Sequence, residues 1–236
     1  MIDDRPLAGR IALVTGASRG IGYHAAKAFG VAGAHVIAVA RTVGGLEELD
    51  DEIKAGGGTA TLVPLDLKDS PGIDRLGAAI FERWGRLDLL LANAGVLGQL
   101  SPLGHVPPKV WDEVMAVNVT ANWRLLRSLD PLLRQSEAAQ AIFMTSGAAD
   151  GEHPFWGPYA VSKAALEALA ATYAAETRKS RIRVALVNPG AVRTAMRAQA
   201  MPGEKPETLP HPSETAAKLL ELATRPFADG LTRFSL

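Results

Sequence analysis

Tyr159 and Lys163 stand four residues apart in the run Gly157-Pro158-Tyr159-Ala160-Val161-Ser162-Lys163, with Ser146 thirteen residues upstream of the tyrosine. On a helix, positions i and i+4 share one face, one turn apart. The spacing therefore sets an ammonium beside a phenol. A free tyrosine titrates near ~10 and is a poor proton carrier at neutral pH, whereas a fixed positive charge close by favours the phenolate. A phenol tuned in this way can exchange a proton with a carbonyl or alcohol oxygen. The implied chemistry is carbonyl/alcohol redox, provided another part of the chain supplies a hydride. The same spacing also describes a surface lysine lying over a helical tyrosine, so the context of the motif decides.

Bulk properties narrow that context. At 236 residues the chain fits one α/β domain with a full core. Lys plus Arg and Asp plus Glu are each 25, so the net charge is zero and a nucleic-acid or polyanion partner held by bulk charge is not expected. With no cysteine, a disulfide framework, a thiolate nucleophile and a Cys-ligated metal are excluded. No His pair has zinc-ligand spacing, and no metal is expected. The opening Met-Ile-Asp-Asp-Arg-Pro does not read as a signal peptide, and no apolar run approaches the roughly 18 residues that span a bilayer. The expectation is a cytoplasmic protein with no membrane partner.

The reactive residues must be positioned by the surrounding elements. Short apolar runs at Ile11–Val14, Val36–Ala40, Thr61–Leu65, Leu87–Ala92, Ala141–Thr145, Val184–Val187 and Leu231–Phe234 read as strands. Helical patterns fall between them, near Gly20–Ala32, Leu46–Lys54, Ile73–Trp84, Val110–Arg134, Tyr159–Thr177 and Glu214–Ala223. Gly33 suits a helix end, and Ser70-Pro71 and Pro212-Ser213 suit helix starts. Such alternation implies βαβ crossovers and a doubly wound, mostly parallel seven-stranded sheet covered by helices on both faces. Strands buried on both faces should be continuous apolar runs, as these are. The composition shifts at Met201–Pro212, where four prolines resist helix and sheet. This stretch reads as part of a surface flap around 191–212, or as a plain connecting loop.

The first strand runs into Thr15-Gly16-Ala17-Ser18-Arg19-Gly20-Ile21-Gly22, and a helix follows. Glycines there permit a tight turn and a close backbone approach, and the helix N-terminus offers N–H groups to a pyrophosphate. The second strand ends at Ala40-Arg41, where selective NAD binding usually places an acidic residue on the ribose 2′-hydroxyl. Arg41, helped by Arg19, could instead pair with a 2′-phosphate. The expected cofactor is NADP(H) in preference to NAD(H).

Taken in order, these motifs resemble the short-chain dehydrogenase/reductase family in its compact, single-domain, Rossmann-like form. Thr15–Gly22 is similar to the family's Thr-Gly-x-x-x-Gly-x-Gly turn, and Asp66-Leu67 to the pair after strand three that contacts adenine. Ala92-Asn93-Ala94-Gly95 is similar to its Asn-Asn-Ala-Gly motif, with Ala92 departing from the first asparagine. Asn118 resembles the family's helix asparagine, and Ser146 with Tyr159-x-x-x-Lys163 its catalytic set. Asn188-Pro189-Gly190, Val192 and Thr194 resemble the segment that lines the nicotinamide. The C-terminal part is short and lacks the Gly-Gly ending of many members. The resemblance implies that Tyr159 is the general acid/base and that Lys163 lowers its pKa and holds the nicotinamide ribose. It implies that Ser146 hydrogen-bonds the substrate oxygen and that Asn118 holds a water linking Lys163 to solvent. The implied cofactor contacts are Gly16, Ser18, Arg19, Gly20, Ile21, Gly22, Arg41, Asp66, Leu67, Asn93, Ala94, Gly95, Tyr159, Lys163, Pro189, Gly190, Val192 and Thr194.

The implied partner is a small-molecule carbonyl or alcohol; oxoacyl thioesters, simple ketones, steroids and quinones all fit. His153, Phe155, Trp156, Met196 and Met201 are candidates for an apolar pocket wall, and His153 for a second acid/base. Alanines at 160, 164, 168, 171 and 175 permit close packing of the Tyr159 helix. The resemblance implies that this helix and the one near Trp111–Arg134 pair across a two-fold axis in a homodimer or homotetramer. The competing reading is a regulatory or sensor module that binds NADP(H) without turnover. An epimerase of the extended branch would need a larger C-terminal substrate domain.

Overall fold

Seven strands form where the apolar runs lie: β1 (Ile11–Thr15), β2 (His35–Ala40), β3 (Thr59–Pro64), β4 (Leu89–Ala92), β5 (Gln140–Met144), β6 (Arg183–Asn188) and β7 (Leu231–Ser235). They alternate with α1 (Gly20–Val31), α2 (Val43–Ala55), α3 (Ser70–Trp84), α4 (Pro108–Met115), α5 (Ala121–Leu133), α6 (Gly157–Glu176), α7 (Ala195–Ala200) and α8 (Pro212–Ala223). The structure is a computed structural model that describes residues 5–225 and 227–236. All seven strands are parallel, in the order β3-β2-β1-β4-β5-β6-β7. This is the doubly wound, Rossmann-like α/β fold that the alternation predicts.

Successive strand residues point to opposite faces, so each strand feeds two cores. Ala12, Val14, Leu89 and Leu91 pack with α1, α2 and α8. Ile11, Leu13, Leu90 and Ala92 pack with α3, α5 and α6. Every residue of β1, β4 and β5 is buried, which is why those runs are apolar without alternation. The strand order reverses between β1 and β4, and ligands of open α/β sheets bind in the crevice at the carboxyl ends of such a switch point. The glycine turn follows β1, and Asn93-Ala94-Gly95 follows β4.

Local chemistry sets the helix ends. The Asp69 side chain accepts from Gly72 N at 3.0 Å ahead of Pro71, starting α3. At α8 the His211 N–H donates to Glu214 Oε1 at 2.8 Å, and Ser213 N donates to His211 Nδ1 at 3.3 Å. Gly33, at φ +100, turns the chain from α1 into β2.

Two elements differ from the sequence expectation. The single helix expected over Val110–Arg134 is α4 and α5 joined by a π-helical turn at Ala116–Thr120, with Asn118 at its centre. The expected flap around 191–212 contains α7 and a 3₁₀ turn at Pro206–Thr208. Ahead of the first of the four prolines, Thr194 Oγ1 accepts from Arg197 N at 3.2 Å and caps that helix. The other boundaries shift by a few residues.

Candidate active site

The glycine turn brings two backbone segments into contact. A Cβ at Gly16, which sits at φ +69, would meet Asn93 Nδ2 at 2.9 Å and Ala94 Cα at 3.0 Å. A Cβ at Gly22 would meet Gly16 O at 2.3 Å, so Gly22 packs the helix under the turn and does not line the crevice. Thr15 ties the turn to the loop after β4. Its Oγ1 accepts from Asn93 N at 3.1 Å and Ala94 N at 3.0 Å, and its carbonyl accepts from Asn93 Nδ2 at 3.0 Å. The N-cap residue of α1, Arg19, makes no side-chain cap bond, and the first turn carries no acid. The positive end of the helix dipole and its free N–H groups are thereby left to an anion. This donor set fits a dinucleotide pyrophosphate.

A crevice of about 850 Å³ runs from this turn across the carboxyl edge of the sheet. Exposed Arg19 and Arg41 line one end, close to Asp66 and Leu67. Asn93, Ala94 and Gly95 line its middle together with Ser18, Gly20 and Ile21. Ser146, Tyr159 and Lys163 line the other end, with Pro189, Gly190, Val192 and Thr194 beside them.

The three reactive side chains come from two elements. Ser146 follows β5, and its hydroxyl lies close enough to the Tyr159 phenol to favour the phenolate. Tyr159 and Lys163 lie one turn apart on α6, with Lys163 Nζ 5.6 Å from the phenol ring centroid. Both side chains are buried, and Lys163 Nζ donates to the Met144 carbonyl at 2.8 Å, using one of its three N–H donors. Asn118 is fully buried behind them. Its Oδ1 accepts from Val96 N at 2.8 Å, and its Nδ2 donates to Val96 O and to Ser162 Oγ, each at 2.9 Å. Its carbonyl, released from the α-helical pattern by the π turn, accepts from Asn122 Nδ2 at 2.8 Å. The Asn118 carboxamide thus spends both of its N–H donors on the protein and fastens the loop after β4 to α6. Asn118 and Gly22 are the two predicted residues that support the crevice without lining it.

Burial dominates the electrostatics. It raises the Tyr159 phenol above its ordinary value, and the nearby Ser146 hydroxyl pulls the other way. Burial also pulls the Lys163 ammonium down to about 8. The expected direction for Tyr159 is reversed here, because the protein takes both groups out of water and disfavours both charges.

Residues 10–205 match the short chain dehydrogenase family. The chain belongs to that family of oxidoreductases. It is 39% identical over 208 residues to the uncharacterized oxidoreductase YciK of Escherichia coli strain K12, covering 87% of this chain and 82% of that one. Its fold superposes on a short-chain dehydrogenase of Shigella flexneri 2a strain 301 complexed with NADP, with a TM-score of 0.93, 36% identity and 99% of each chain covered. A short-chain dehydrogenase of Escherichia coli CFT073 complexed with NADPH gives a TM-score of 0.90, 37% identity and 98% coverage of each chain.

Several residues of this short-chain dehydrogenase were not singled out from the sequence. Thr15 opens the glycine motif, so its place was readable, though its bridging role was not. Ser162, between the tyrosine and the lysine, is fully buried and donates to Tyr159 O at 2.7 Å while accepting from Asn118. Leu97 and Gln99, from the loop after β4, and Gln199, from α7, reach the crevice from stretches that carry no motif. Of the expected apolar wall, Trp156 and Met196 line the crevice, whereas His153, Phe155 and Met201 are exposed and do not. His153 Nδ1 pairs instead with Asp150 Oδ1 at 3.1 Å.

The buried lysine makes stability depend on pH. In the folded protein Lys163 titrates near 8, against its ordinary 10.5. Between those values the unfolded chain binds more protons, so the contribution of Lys163 to stability rises with pH. Lys163→Met removes the titration. The stability of this variant minus that of the wild type should fall by about 3 kcal/mol between pH 7 and 10.5. Urea denaturation at both pH values measures the difference, and a pH-independent difference would contradict the buried charge.

Proposed function

We propose that the protein is an NADPH-dependent carbonyl reductase that also runs in reverse, built as one NADP(H)-binding domain over residues 1–236 with a substrate flap around 191–212. The observation that carries this reading is the convergence of the Ser146 hydroxyl, the Tyr159 phenol and the buried Lys163 ammonium at one end of the glycine-lined crevice. A bound nicotinamide would supply the hydride. The chain's own residues do the rest. Ser146 donates to the substrate oxygen and fixes the carbonyl carbon. Tyr159, held protonated by burial, gives its proton to that oxygen in reduction and takes it back in oxidation. Lys163 holds the ribose with the donors left free by Met144 O, and its charge steadies the phenolate that forms. Asn118 keeps Lys163 in register through Ser162.

The other end selects the cofactor. The α1 N-terminus, with Gly16, Ser18, Gly20 and Ile21, takes the pyrophosphate, while Gly22 lets that helix close in. Arg41 and Arg19 take the 2′-phosphate, and Asp66 and Leu67 the adenine. Asn93, Ala94 and Gly95 form the floor, and Pro189, Gly190, Val192 and Thr194 border the nicotinamide. The NADP and NADPH complexes of the Shigella and Escherichia relatives support this choice. We place the enzyme in the cytoplasm as a homodimer or homotetramer. No helix among the described residues is long and apolar enough to cross a membrane.

NADPH fluorescence titration with and without a broad panel of ketones and aldehydes tests the proposal. Tight NADPH binding with carbonyl-dependent oxidation is the expected result. Binding with no oxidation across the panel would favour a sensor instead.

A further inference from the structure

The substrate end of the crevice is chemically one-sided. Leu97 and Ala200 are buried there with Tyr159, and Trp156 and Met196 pack against them. This cluster is separate from the two that join helices to the sheet. Its residues come from the loop after β4, the turn after β5, the start of α6 and α7, so it is assembled around the site and not around the fold.

The aromatic wall is held by an uncommon backbone. Phe155 is the one non-glycine residue with positive φ among the described residues, at +72. A bulky L residue adopts this conformation only under constraint, and such outliers cluster at functional sites. The constraint is visible: Phe155 O accepts from Ser101 N at 3.0 Å. Phe155 is left 60% exposed, while the next residue, Trp156, lines the crevice with its ring centroid 5.9 Å from that of Tyr159.

The charges near this wall are already committed. Among the described residues, the cations lining the crevice are Arg19, Arg41, Lys163 and Arg197. Arg19 and Arg41 belong to the phosphate end, and Lys163 is buried against Met144 O. Arg197 is clamped by Glu204, with Nε–Oε2 at 2.6 Å and Nη2–Oε1 at 2.8 Å. A carboxylate or phosphate-bearing substrate seeks charge-assisted donors, and this bidentate pair already neutralises the Arg197 charge.

We infer that the physiological substrate is an uncharged carbonyl compound bearing a bulky apolar group that seats against Trp156 and Met196, not an anionic carrier-bound thioester. The inference rests on the reductase reading above and deepens it to a substrate class. Trp156 and Met196 are then specificity-determining residues.

The test compares three substrates on the NADPH-saturated enzyme: 2-acetylnaphthalene, 2-butanone and acetoacetyl-coenzyme A. The naphthyl ketone should have a kcat/KM at least about tenfold above each of the others. Trp156→Ala should lower that advantage over 2-butanone by about tenfold, mainly through KM, with NADPH affinity reporting that the variant is folded. Met196→Ala serves as a second, milder variant and should move the ratio in the same direction. Acetoacetyl-coenzyme A turning over as well as the naphthyl ketone would overturn the inference, as would an aryl preference that survives both substitutions. Turnover of 2-butanone with no aryl preference sinks this inference and leaves the reductase reading standing. NADPH binding with no oxidation by any of the three, or by the wider panel, overturns both.

Discussion

Tyr159→Phe is expected to lower kcat for carbonyl reduction by about 10²–10⁴-fold, the range associated with a positioned general acid. The substitution removes one oxygen from a ring that is 7% exposed and keeps the ring's packing against Trp156. NADPH affinity should therefore remain within about threefold, since one donor among many is lost. Ser146 still offers a hydrogen bond to the substrate oxygen, which leaves a residual rate and little change in KM. Steady-state NADPH oxidation and fluorescence titration on the same preparation measure both quantities. A variant that retains more than a tenth of the wild-type kcat would remove the phenol from the mechanism, whatever its position in the crevice.

Arg41→Asp is expected to shift the NADPH-over-NADH ratio of kcat/KM by about a hundredfold towards NADH. A hydrogen bond to a charged group contributes about 1.5–3 kcal/mol, and each ~1.4 kcal/mol is a factor of ten. The substitution removes one such bond and sets a carboxylate where a 2′-phosphate would lie. Arg41 is solvent-exposed, so the effect should weaken as salt is raised. Arg19 remains on the same end of the crevice and limits the loss. Initial rates with both cofactors at low and high ionic strength supply the ratio, and one that moves by less than threefold would assign 2′-phosphate recognition elsewhere.

Much of the architecture was readable because burial on both faces leaves a continuous apolar run, and β1, β4 and β5 are of that kind. The glycine turn was readable because only glycine tolerates the approach of Asn93 and Ala94. Other features depend on partners remote in sequence. The π turn at Ala116–Thr120 coincides with Asn118 reaching Val96 and Ser162, and helix periodicity carries no trace of either. α7 was hidden by the prolines that follow it, although Thr194 was available as its cap. The outward turn of Phe155 and inward turn of Trp156 depend on one backbone angle that residue type does not predict. The Tyr159 shift ran opposite to expectation because spacing gives the charge beside a phenol but not the water removed from both.

The clasp from Asn118 to Ser162 defines what can be moved between relatives. The tyrosine and lysine travel together on α6, yet their register is fixed by a carboxamide forty-four positions before Ser162 that also grips Val96. A chimera that exchanges α6 alone would import the reactive pair without its anchor. The exchangeable cassette is then expected to be the stretch from the loop after β4 through α6, moved as one mechanical piece.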